Sequence, residues 1–349
     1  MDCAFIFRRD LRIYDNTALS YAAKECERIY PIFILDPRQI EQNEYRSDKA
    51  LNFMFESLKD LDLQIKENGG EGLILFHGIA EEVVSKLSTK FDKFYVNEDY
   101  TPFSRKRDEN IRNLVKVLKS YDDCLLSPKD IIPKTFTSFY LKVKDKVNKP
   151  KNVEIKKFGF MEGDLEIEEL KFEKNLRIRG GRKEGLKMLE RAKNIDFRRR
   201  DYPYEENYTY LSPHLKFGTI SIREAYYNIN DDNFRRELYW RDFYTLIGYH
   251  YDVLGKPFKK EYSYINWENN EEYFNLWKEG KTGYPIIDAG MRELNQTGYI
   301  NNRVRMLVAF FLVKVLFIDW RWGEKYFAQK LIDYDPLINN GNWQWVAST

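Results

Sequence analysis

The first third of the chain alternates short apolar runs with longer amphipathic segments. The apolar runs predict buried strands at residues 3–7, 30–35, 72–76, 94–97 and 124–126. Segments with helical spacing of their apolar residues lie between them, at residues 17–28, 51–68, 80–91 and 104–121. This strand–helix alternation predicts an α/β domain with a doubly wound parallel sheet over residues 1–126.

The pattern changes twice after this domain. Residues 127–179 are rich in lysine, punctuated by proline and weakly periodic, which predicts a solvated interdomain linker without chemistry of its own. From residue 180 to residue 349 the apolar spacing is helical, at residues 181–193, 221–228, 234–249, 288–295, 302–318 and 323–331. This part of the chain predicts a second, all-α domain.

Composition agrees with two folded domains, because 349 residues exceed one small domain and 43% of them are hydrophobic. Aromatic residues make up 16% of the chain, and all seven tryptophans lie between Trp240 and Trp345. Such a concentration suits a buried ring cofactor or stacked bases, although core packing alone explains many aromatic positions. The net charge of +2 excludes a polycation but allows a local basic patch.

Cysteine usage and the longest apolar stretches limit the class of protein. Cys3, Cys26 and Cys124 are far apart and form no CxxC pair, which argues against structural zinc, an iron–sulfur cluster and a disulfide framework, and fits a reducing compartment. The N-terminal sequence MDCAFIFRRD is unlike a signal peptide, since charge follows its short apolar run. Residues 306–318 are interrupted by Lys314 and too short to span a bilayer. We expect a soluble intracellular protein without a metal site, in the cytoplasm or the nucleus.

Several polar patterns have two interpretations when judged from spacing alone. Glu237 and Arg241 are four residues apart on a predicted helix, where they form an ordinary ion pair as readily as an active-site pair. Thr209 and Ser212 precede a predicted helix and either cap it or bind phosphate oxygens. Residues 97–98 follow the fourth predicted strand and either cap it or line a ligand crevice.

Five segments together carry a family signature. Residues 7–19 read FRRDLRIYDNTAL, residues 209–215 read TYLSPHL and residues 237–244 read ELYWRDFY. Residues 280–289 read GKTGYPIIDA, and residues 333–345 read DYDPLINNGNWQW. Over essentially the whole chain these segments resemble the DNA photolyase–cryptochrome family, most closely the class I type that acts on cyclobutane pyrimidine dimers. The resemblance implies an α/β antenna-binding domain followed by a helical FAD-binding domain.

The resemblance implies FAD as the cofactor. The implied FAD-binding positions in this sequence are Tyr208, Thr209, Tyr210, Leu211, Ser212, Phe234, Arg241, Arg305, Asp333, Tyr334, Asp335 and Asn339. Tyr208 departs from the family pattern, which has threonine there, and Asp196 stands where many members have a flavin-contacting tyrosine. The resemblance also implies a second, antenna chromophore, a folate or a deazaflavin, beside Asn97 and Glu98.

The resemblance further implies light-driven repair of UV-damaged DNA, in which photoexcited reduced FAD transfers an electron to a flipped-out cyclobutane pyrimidine dimer. The implied catalytic positions are Glu237, Trp240, Asn302, Met306, Asn339 and Trp345. The implied DNA-binding positions are Arg200, Glu237, Trp240, Arg241, Asn302 and Arg303. The implied relay that carries electrons from the surface to oxidised flavin consists of Trp267, Trp320 and Trp343.

Particular residues select among the activities of the family. Asn301 and Asn302 stand where proteins that repair the (6-4) photoproduct carry paired histidines, which favours the cyclobutane dimer as the substrate. Asn339, Glu237 and Met306 favour repair. A cryptochrome-like blue-light photoreceptor is the alternative.

The chain ends at Thr349, whereas members of the family continue through further helices. We therefore expect a helical domain over residues 180–349 that is short at its C-terminus. Two organisations are compatible with this expectation. The chain is a monomeric enzyme, or it is a non-catalytic fragment or subunit that a separately encoded C-terminal piece completes.

Overall fold

The computed structural model describes residues 1–126, 131–144, 146–171, 173 and 176–349. Within these ranges five parallel strands form one sheet, and they are β1 (Asp2–Phe7), β2 (Arg28–Leu35), β3 (Ile74–His77), β4 (Lys93–Asn97) and β5 (Val117–Tyr121). The spatial order is β3-β2-β1-β4-β5. Because the chain order reverses beside β1, the carboxyl ends of β1 and β4 flank the crevice where open α/β sheets bind ligands. The predicted doubly wound sheet is confirmed.

Helices cover both faces of the sheet, and they are α1 (Thr17–Glu25), α2 (Pro37–Ile40), α3 (Asp48–Glu67), α4 (Ala80–Leu87) and α5 (Pro102–Leu114). Cys3, Phe5 and Phe7 of β1 pack with α1 and α3 on one face. Ala4 and Ile6 pack with α4 and α5 on the other face. This strict alternation is the two-residue period of a strand that is buried on both sides.

The end of the sheet differs from the prediction. The fifth strand lies at Val117–Tyr121, where the sequence predicted the end of a helix over residues 104–121. The predicted strand at residues 124–126 is therefore wrong. Helix α5 ends at Leu114 instead. β5 is an edge strand whose five side chains are all only partly buried, so its hydrophobic signal is weak.

The segment predicted to be a solvated linker is partly packed. Helix α6 (Phe136–Val143) places Phe136 and Phe139 in the core of the helical domain. Phe158 and Ile167 join the core beneath the sheet. The expectation of a wholly solvated connection is therefore wrong for these positions. Residues 127–130, 145, 172 and 174–175 of that segment lie outside the described residues.

Cys3 and Cys26 are joined by a disulfide. Cys3 lies on β1, and Cys26 directly follows α1, so the fold returns the chain beside its own first strand. The sequence predicted no disulfide framework, and this single pair forms because the fold brings together two cysteines that are far apart along the chain. Cys124 is a free, half-buried thiol.

The rest of the described chain is helical, as predicted. Its helices are α7 (Arg182–Ala192), α8 (Ser212–Phe217), α9 (Ile222–Asn228), α10 (Asp232–His250), α11 (Glu271–Glu279), α12 (Pro285–Thr297), α13 (Asn302–Phe310), α14 (Trp320–Lys330) and α15 (Pro336–Ala347). Helix α13 continues into a π-helical turn at Phe311–Val315. No helix within the described ranges is both long and apolar enough to cross a membrane.

A buried charge network ties the two domains together. Arg223 of α9 donates to Asp15 Oδ2 at 2.9 Å and to Asp123 Oδ1 at 2.8 Å. Arg12 donates to Asp123 Oδ2 at 2.6 Å. The four side chains are each less than a tenth exposed. Since a buried charge is tolerated only when it is paired and hydrogen-bonded, this network fixes how the helical domain sits on the sheet.

Candidate active site

The first group of predicted cofactor-binding side chains meets around Asp333. Ser212 at the start of α8 donates its hydroxyl to Asp333 Oδ2 at 2.5 Å. Arg305 of α13 donates to the two oxygens of the same carboxylate at 3.1 and 2.8 Å. The guanidinium of Arg305 lies 5.2 Å from the ring of Tyr299, which is 5.1 Å from the ring of Tyr210. Three segments that are distant in sequence therefore form one polar cluster.

The Arg305–Asp333 pair is largely removed from water. The side chain of Asp333 is 3% exposed and that of Arg305 is 22% exposed. Burial alone would lower the pKa of Arg305, but the carboxylate of Asp333 raises it above its ordinary value. Arg305 therefore stays protonated and presents a fixed guanidinium in a sheltered position.

A second group meets around Asp335, the N-cap of α15. Asp335 Oδ1 accepts from the first two backbone N–H groups that follow it, and Oδ2 accepts from Arg9 at the end of β1. Burial acts to raise the pKa of Asp335, but Arg9, Arg241 and Lys216 together lower it. Burial lowers the pKa of Lys216 to about 7. Arg241 also donates to the carbonyl of Leu215 at 3.1 Å.

The side chain of Asn339 lies beside a buried carboxyl group. Its Nδ2 donates to the carbonyl oxygen and to the carboxyl Oε1 of Glu324 at 3.2 and 3.1 Å. Tyr334 donates its hydroxyl to the same Oε1 at 3.4 Å. Burial raises the pKa of Glu324 despite these two hydrogen bonds. Asn339 is therefore oriented by a group that holds a proton more readily than an exposed glutamate does.

Other predicted cofactor-binding residues are used within the protein. The hydroxyl of Tyr208 donates to the carbonyl of Pro203. Thr209 Oγ1 accepts from the backbone N–H of Leu211 at 3.2 Å, which is a turn interaction. Leu211 is 1% exposed and Phe234 is 5% exposed, both in the core of the helical domain. These two side chains pack against apolar neighbours, and their predicted contact with the cofactor stays a prediction.

Four of the predicted DNA-binding residues, Arg200, Glu237, Asn302 and Arg303, form a separate surface group, whereas Arg241 belongs to the cluster around Asp335. Arg200 donates to Glu237 Oε1 at 3.0 Å. Arg303 Nε donates to Asp201 at 2.5 Å, and its Nη1 lies 3.5 Å from the sulfur of Met306. Asn302 is exposed next to this group at the start of α13.

Glu237 lies between two cations and the protein interior. Its side chain is 47% exposed. Partial burial raises its pKa, whereas Arg200 and Arg303 act to lower it, and the net direction is upward. A glutamate in this setting can accept a hydrogen bond when ionised and donate one when protonated.

Two predicted stacking residues differ in how open they are. The ring of Trp240 is only half-buried, but it lies parallel to the ring of Phe136 with the centroids 3.6 Å apart. Trp345, on α15, is 57% exposed. We expected both indoles to be available for stacking, and the structure leaves Trp345 open while Phe136 covers one face of Trp240.

The three tryptophans of the predicted relay run from the interior to the surface. Trp343 and Trp320 are each 2% exposed, and Trp267 is half-buried. Trp267 and Trp320 line the same cavity of about 520 Å³. Trp343 packs instead against Phe327 and Trp277, with ring centroids 4.9 and 6.3 Å away.

Two buried residues near the site were missed by the sequence reasoning. Glu324 is a lone carboxylate on the apolar side of α14, and that position is the signal that would have identified it. Trp277 is fully buried, contacts Trp343, and donates its indole N–H to the carbonyl of Val308 at 2.9 Å. Helix α11, which carries Trp277, was not predicted.

A cavity of about 750 Å³ lies between the sheet and the helical domain. The α/β domain contributes the carboxyl ends of β1 and β2 and the start of α5, including Arg9, Asp36 and Arg107. The helical domain contributes residues of α14 and α15, including Glu324 and Asn340. This volume falls within the range of small-molecule and cofactor sites.

The antenna residues predicted from the sequence do not line this cavity. Asn97 donates to Asp10 Oδ2 at 2.5 Å and to Asn16 Oδ1 at 2.8 Å, which holds β4 against the start of α1. Glu98 Oε1 accepts from Ser120 at 2.9 Å on the neighbouring strand. The two side chains stabilise the sheet domain through these hydrogen bonds. Residues that follow them in the chain line the cavity instead.

Charged side chains and unpaired donors line the large cavity. Seven cationic and four anionic side chains line it, and four of the cations pair with carboxylates outside the lining, namely Arg8 with Asp108, Arg9 with Asp335, Arg46 with Asp48 and Arg321 with Asp319. Two donors in its lining, Arg107 Nη2 and Asn340 Nδ2, are buried without a hydrogen-bond partner among the described residues. Because an unpaired buried donor costs free energy, these groups indicate that a ligand with acceptor oxygens or nitrogens belongs there.

Two protein-family models match this chain, one in each of its halves. The family model for DNA photolyase matches residues 3–156, and the model for the FAD binding domain of DNA photolyase matches residues 234–349. A deoxyribodipyrimidine photo-lyase of Alkalihalophilus pseudofirmus is 33% identical over an alignment that covers 98% of this chain and 79% of that protein.

Solved structures agree with these matches. A photolyase of the archaeon Sulfolobus tokodaii, solved with two FAD molecules, has a TM-score of 0.95 and 56% identity, covering 100% of this chain and 83% of that one. A cryptochrome of Synechocystis has a TM-score of 0.85 and 27% identity, covering 99% of this chain and 82% of that one. The chain therefore belongs to the DNA photolyase family, as a FAD-binding DNA-repair enzyme of the deoxyribodipyrimidine photo-lyase type.

Proposed function

We propose that the chain repairs cyclobutane pyrimidine dimers in DNA by light-driven electron transfer to a dimer that is flipped out of the duplex. The observation that carries the proposal is the placement of α13. Arg305 joins the buried cluster around Asp333, while Arg303, two residues earlier, joins the surface group with Glu237. One helix thus contacts both the place proposed for the cofactor and the place proposed for the damaged bases.

The side chains around Asp333 and Asp335 fit FAD by their chemistry. Arg305 and Ser212 offer donors that suit the diphosphate and ribityl oxygens, and Asp333 offers acceptors for hydroxyl groups. Asn339, held by Glu324, offers an amide to the isoalloxazine ring. When bound in reduced form, FAD supplies an electron on illumination, chemistry that no side chain of the protein provides.

The surface group suits the damaged strand. Arg200 and Arg303 carry partly exposed positive charge that can pair with phosphates, which makes binding independent of sequence and sensitive to salt. Glu237 and Asn302 can hydrogen-bond the bases of a flipped dimer. The open indole of Trp345 can replace the stacking that the dimer loses, worth about 1–3 kcal/mol per base.

The tryptophans have a separate role in preparing the cofactor. We assign Trp343, Trp320 and Trp267 to a relay that passes electrons inward when the bound flavin is oxidised. Support comes from their burial, which falls from Trp343 and Trp320 to the half-buried Trp267.

The direct test is repair of a single dimer in an oligonucleotide. FAD-loaded, reduced protein is expected to restore the undamaged strand under blue light and not in the dark. The Glu237→Gln variant should lower the repair rate by about tenfold or more, because a hydrogen bond to a charged group is lost. Glu272→Gln, an exposed change on α11, is the matched control and should repair like the wild type.

Other outcomes of this assay separate the alternatives. A protein that holds FAD and changes its absorption in light without repairing the dimer would be a photoreceptor. A protein that holds no FAD until a second polypeptide is added would be one subunit of a divided enzyme.

We further propose that the 750 Å³ cavity holds a second, anionic ring chromophore that serves as an antenna. The two unpaired donors of Arg107 and Asn340 support a guest that carries acceptor oxygens or nitrogens. The Sulfolobus tokodaii photolyase, 56% identical, was solved with two FAD molecules and an implied light-harvesting cofactor. FAD is therefore the antenna that we favour over the folate or deazaflavin implied by the family resemblance.

The antenna proposal predicts a stoichiometry. Wild-type protein reconstituted with FAD and desalted should carry two flavins per chain, and Arg107→Met should carry one. Arg105→Met, an exposed change on the same helix that does not line the cavity, should keep two. Flavin absorbance relative to protein, with chromatography of the released chromophore, measures this ratio. A wild-type ratio of one would refute the proposal.

A further inference from the structure

A second cavity, of about 520 Å³, lies at the end of the proposed tryptophan relay. Its walls include Trp267 and Trp320 together with the aromatic ring of Tyr262. It is separate from the large cavity between the sheet and the helical domain, although Gly255 and Arg321 line both. The volume is suited to a small-molecule ligand.

The charges of this cavity favour an anion. Lys256, Lys260 and Arg321 are cationic, and Asp252 is the single carboxylate among the described residues that line it. Lys256 pairs with Asp252, and Arg321 pairs with Asp319 at 2.6 Å. With those pairs formed, Lys260 is the remaining cation among the described lining residues, so the cavity keeps a net positive charge beside aromatic walls, a combination that attracts small anions and holds a flat ring.

We propose that this cavity binds a small anionic enediol reductant of the ascorbate class, which returns an electron to Trp267 after the relay has passed an electron to the flavin. The inference rests on the proposed relay. Trp267 is half-buried and forms part of the wall, so a bound reductant lies in van der Waals reach of the indole. A reductant would reach a buried indole radical more slowly, and it would reduce a fully exposed one only through random collisions.

The step balances with one named co-reactant. A neutral Trp267 radical, which has lost its indole proton to water, accepts a hydrogen atom from the ascorbate monoanion. The indole N–H bond re-forms, the enediol O–H bond breaks, and the ascorbyl radical anion leaves. Trp267 is reduced by one electron and ascorbate is oxidised by one.

Direct binding is tested without light and without turnover. Protein loaded with FAD and labelled with ¹⁵N at its indoles is titrated with ascorbate under argon, and the indole N–H signals are followed by NMR. The signal of Trp267 is expected to shift saturably, and that of the exposed Trp345 to stay in place. The Lys256→Gln/Lys260→Gln variant should weaken binding by about fivefold, since two attractive charges are removed. Lys259→Gln, a neighbouring charge outside the lining, should bind like the wild type.

The proposal would be overturned if the indole signal of Trp267 does not shift, if its shift does not saturate, or if the double variant shows an equally strong shift. Flash photolysis gives a second measurement. The decay rate of the tryptophan radical should level off with ascorbate concentration in the wild type, and in the double variant it should level off only at about fivefold higher concentration. If no tryptophan radical forms at all, the relay fails, whereas the NMR titration still decides whether the cavity binds the anion.

Discussion

Replacing Arg305 with methionine is expected to abolish retention of FAD, weakening its affinity by about 100-fold or more. The change leaves the carboxylate of Asp333, 3% exposed, without its cation. Removing one partner of a buried ion pair costs about 3–5 kcal/mol, because the remaining charge stays desolvated. Flavin absorbance that survives a desalting column, compared with that of the wild type, measures the loss.

Arg303→Met is the matched control, two residues away on the same helix. Its partner Asp201 is 63% exposed, so the substitution should leave FAD in place. It should instead weaken DNA binding and reduce the slope of log affinity against log salt by about 0.9, one phosphate contact. Adding Asp333→Asn to Arg305→Met should restore stability without restoring FAD. Normal retention of FAD by Arg305→Met would exclude this cluster as the cofactor site.

Arg223→Met is expected to destabilise the protein by about 3–5 kcal/mol. The guanidinium holds Asp15 and Asp123 across the domain boundary, and the two carboxylates are each less than a tenth exposed. Arg12 still pairs with Asp123 in the variant, so the uncompensated charge falls mainly on Asp15. Urea unfolding followed by circular dichroism gives the change in free energy.

The comparison for Arg223 is Arg198→Met. Arg198 pairs with Asp196 on the surface, where its side chain is 84% exposed. Surface ion pairs contribute little, so a loss much smaller than that of Arg223→Met is expected. Equal losses in the two variants would show that the buried network has no special role in holding the domains together.

Period and burial explain which parts of the fold were predictable. Strands buried on both faces, such as β1, have continuous apolar runs, and their positions were predicted within one or two residues. The edge strand β5 is half-exposed and was taken for the end of a helix. Helix α15 was not predicted, although Asp335 followed by Pro336 is a typical helix start.

The candidate site shows a different limit. Motifs identified Arg305, Asp333, Ser212 and Asn339 as one functional set, and the structure brings the first three together. Their partners could not be read from the chain. Asp335 is paired with an arginine 326 residues away, and Asn339 with a glutamate that belongs to no motif. Such contacts depend on how the two domains are packed, which local patterns do not encode.

The contact between Phe136 and Trp240 changes what the proposed binding mode can gain from each indole. A base that stacks on the covered face of Trp240 must first displace the phenyl ring of Phe136, which is buried in the core of the helical domain. Trp345 is 57% exposed, so in the proposed binding mode it gives up no such contact when a base stacks on it. While no DNA is bound, Phe136 therefore shields that face of the Trp240 indole from unwanted association.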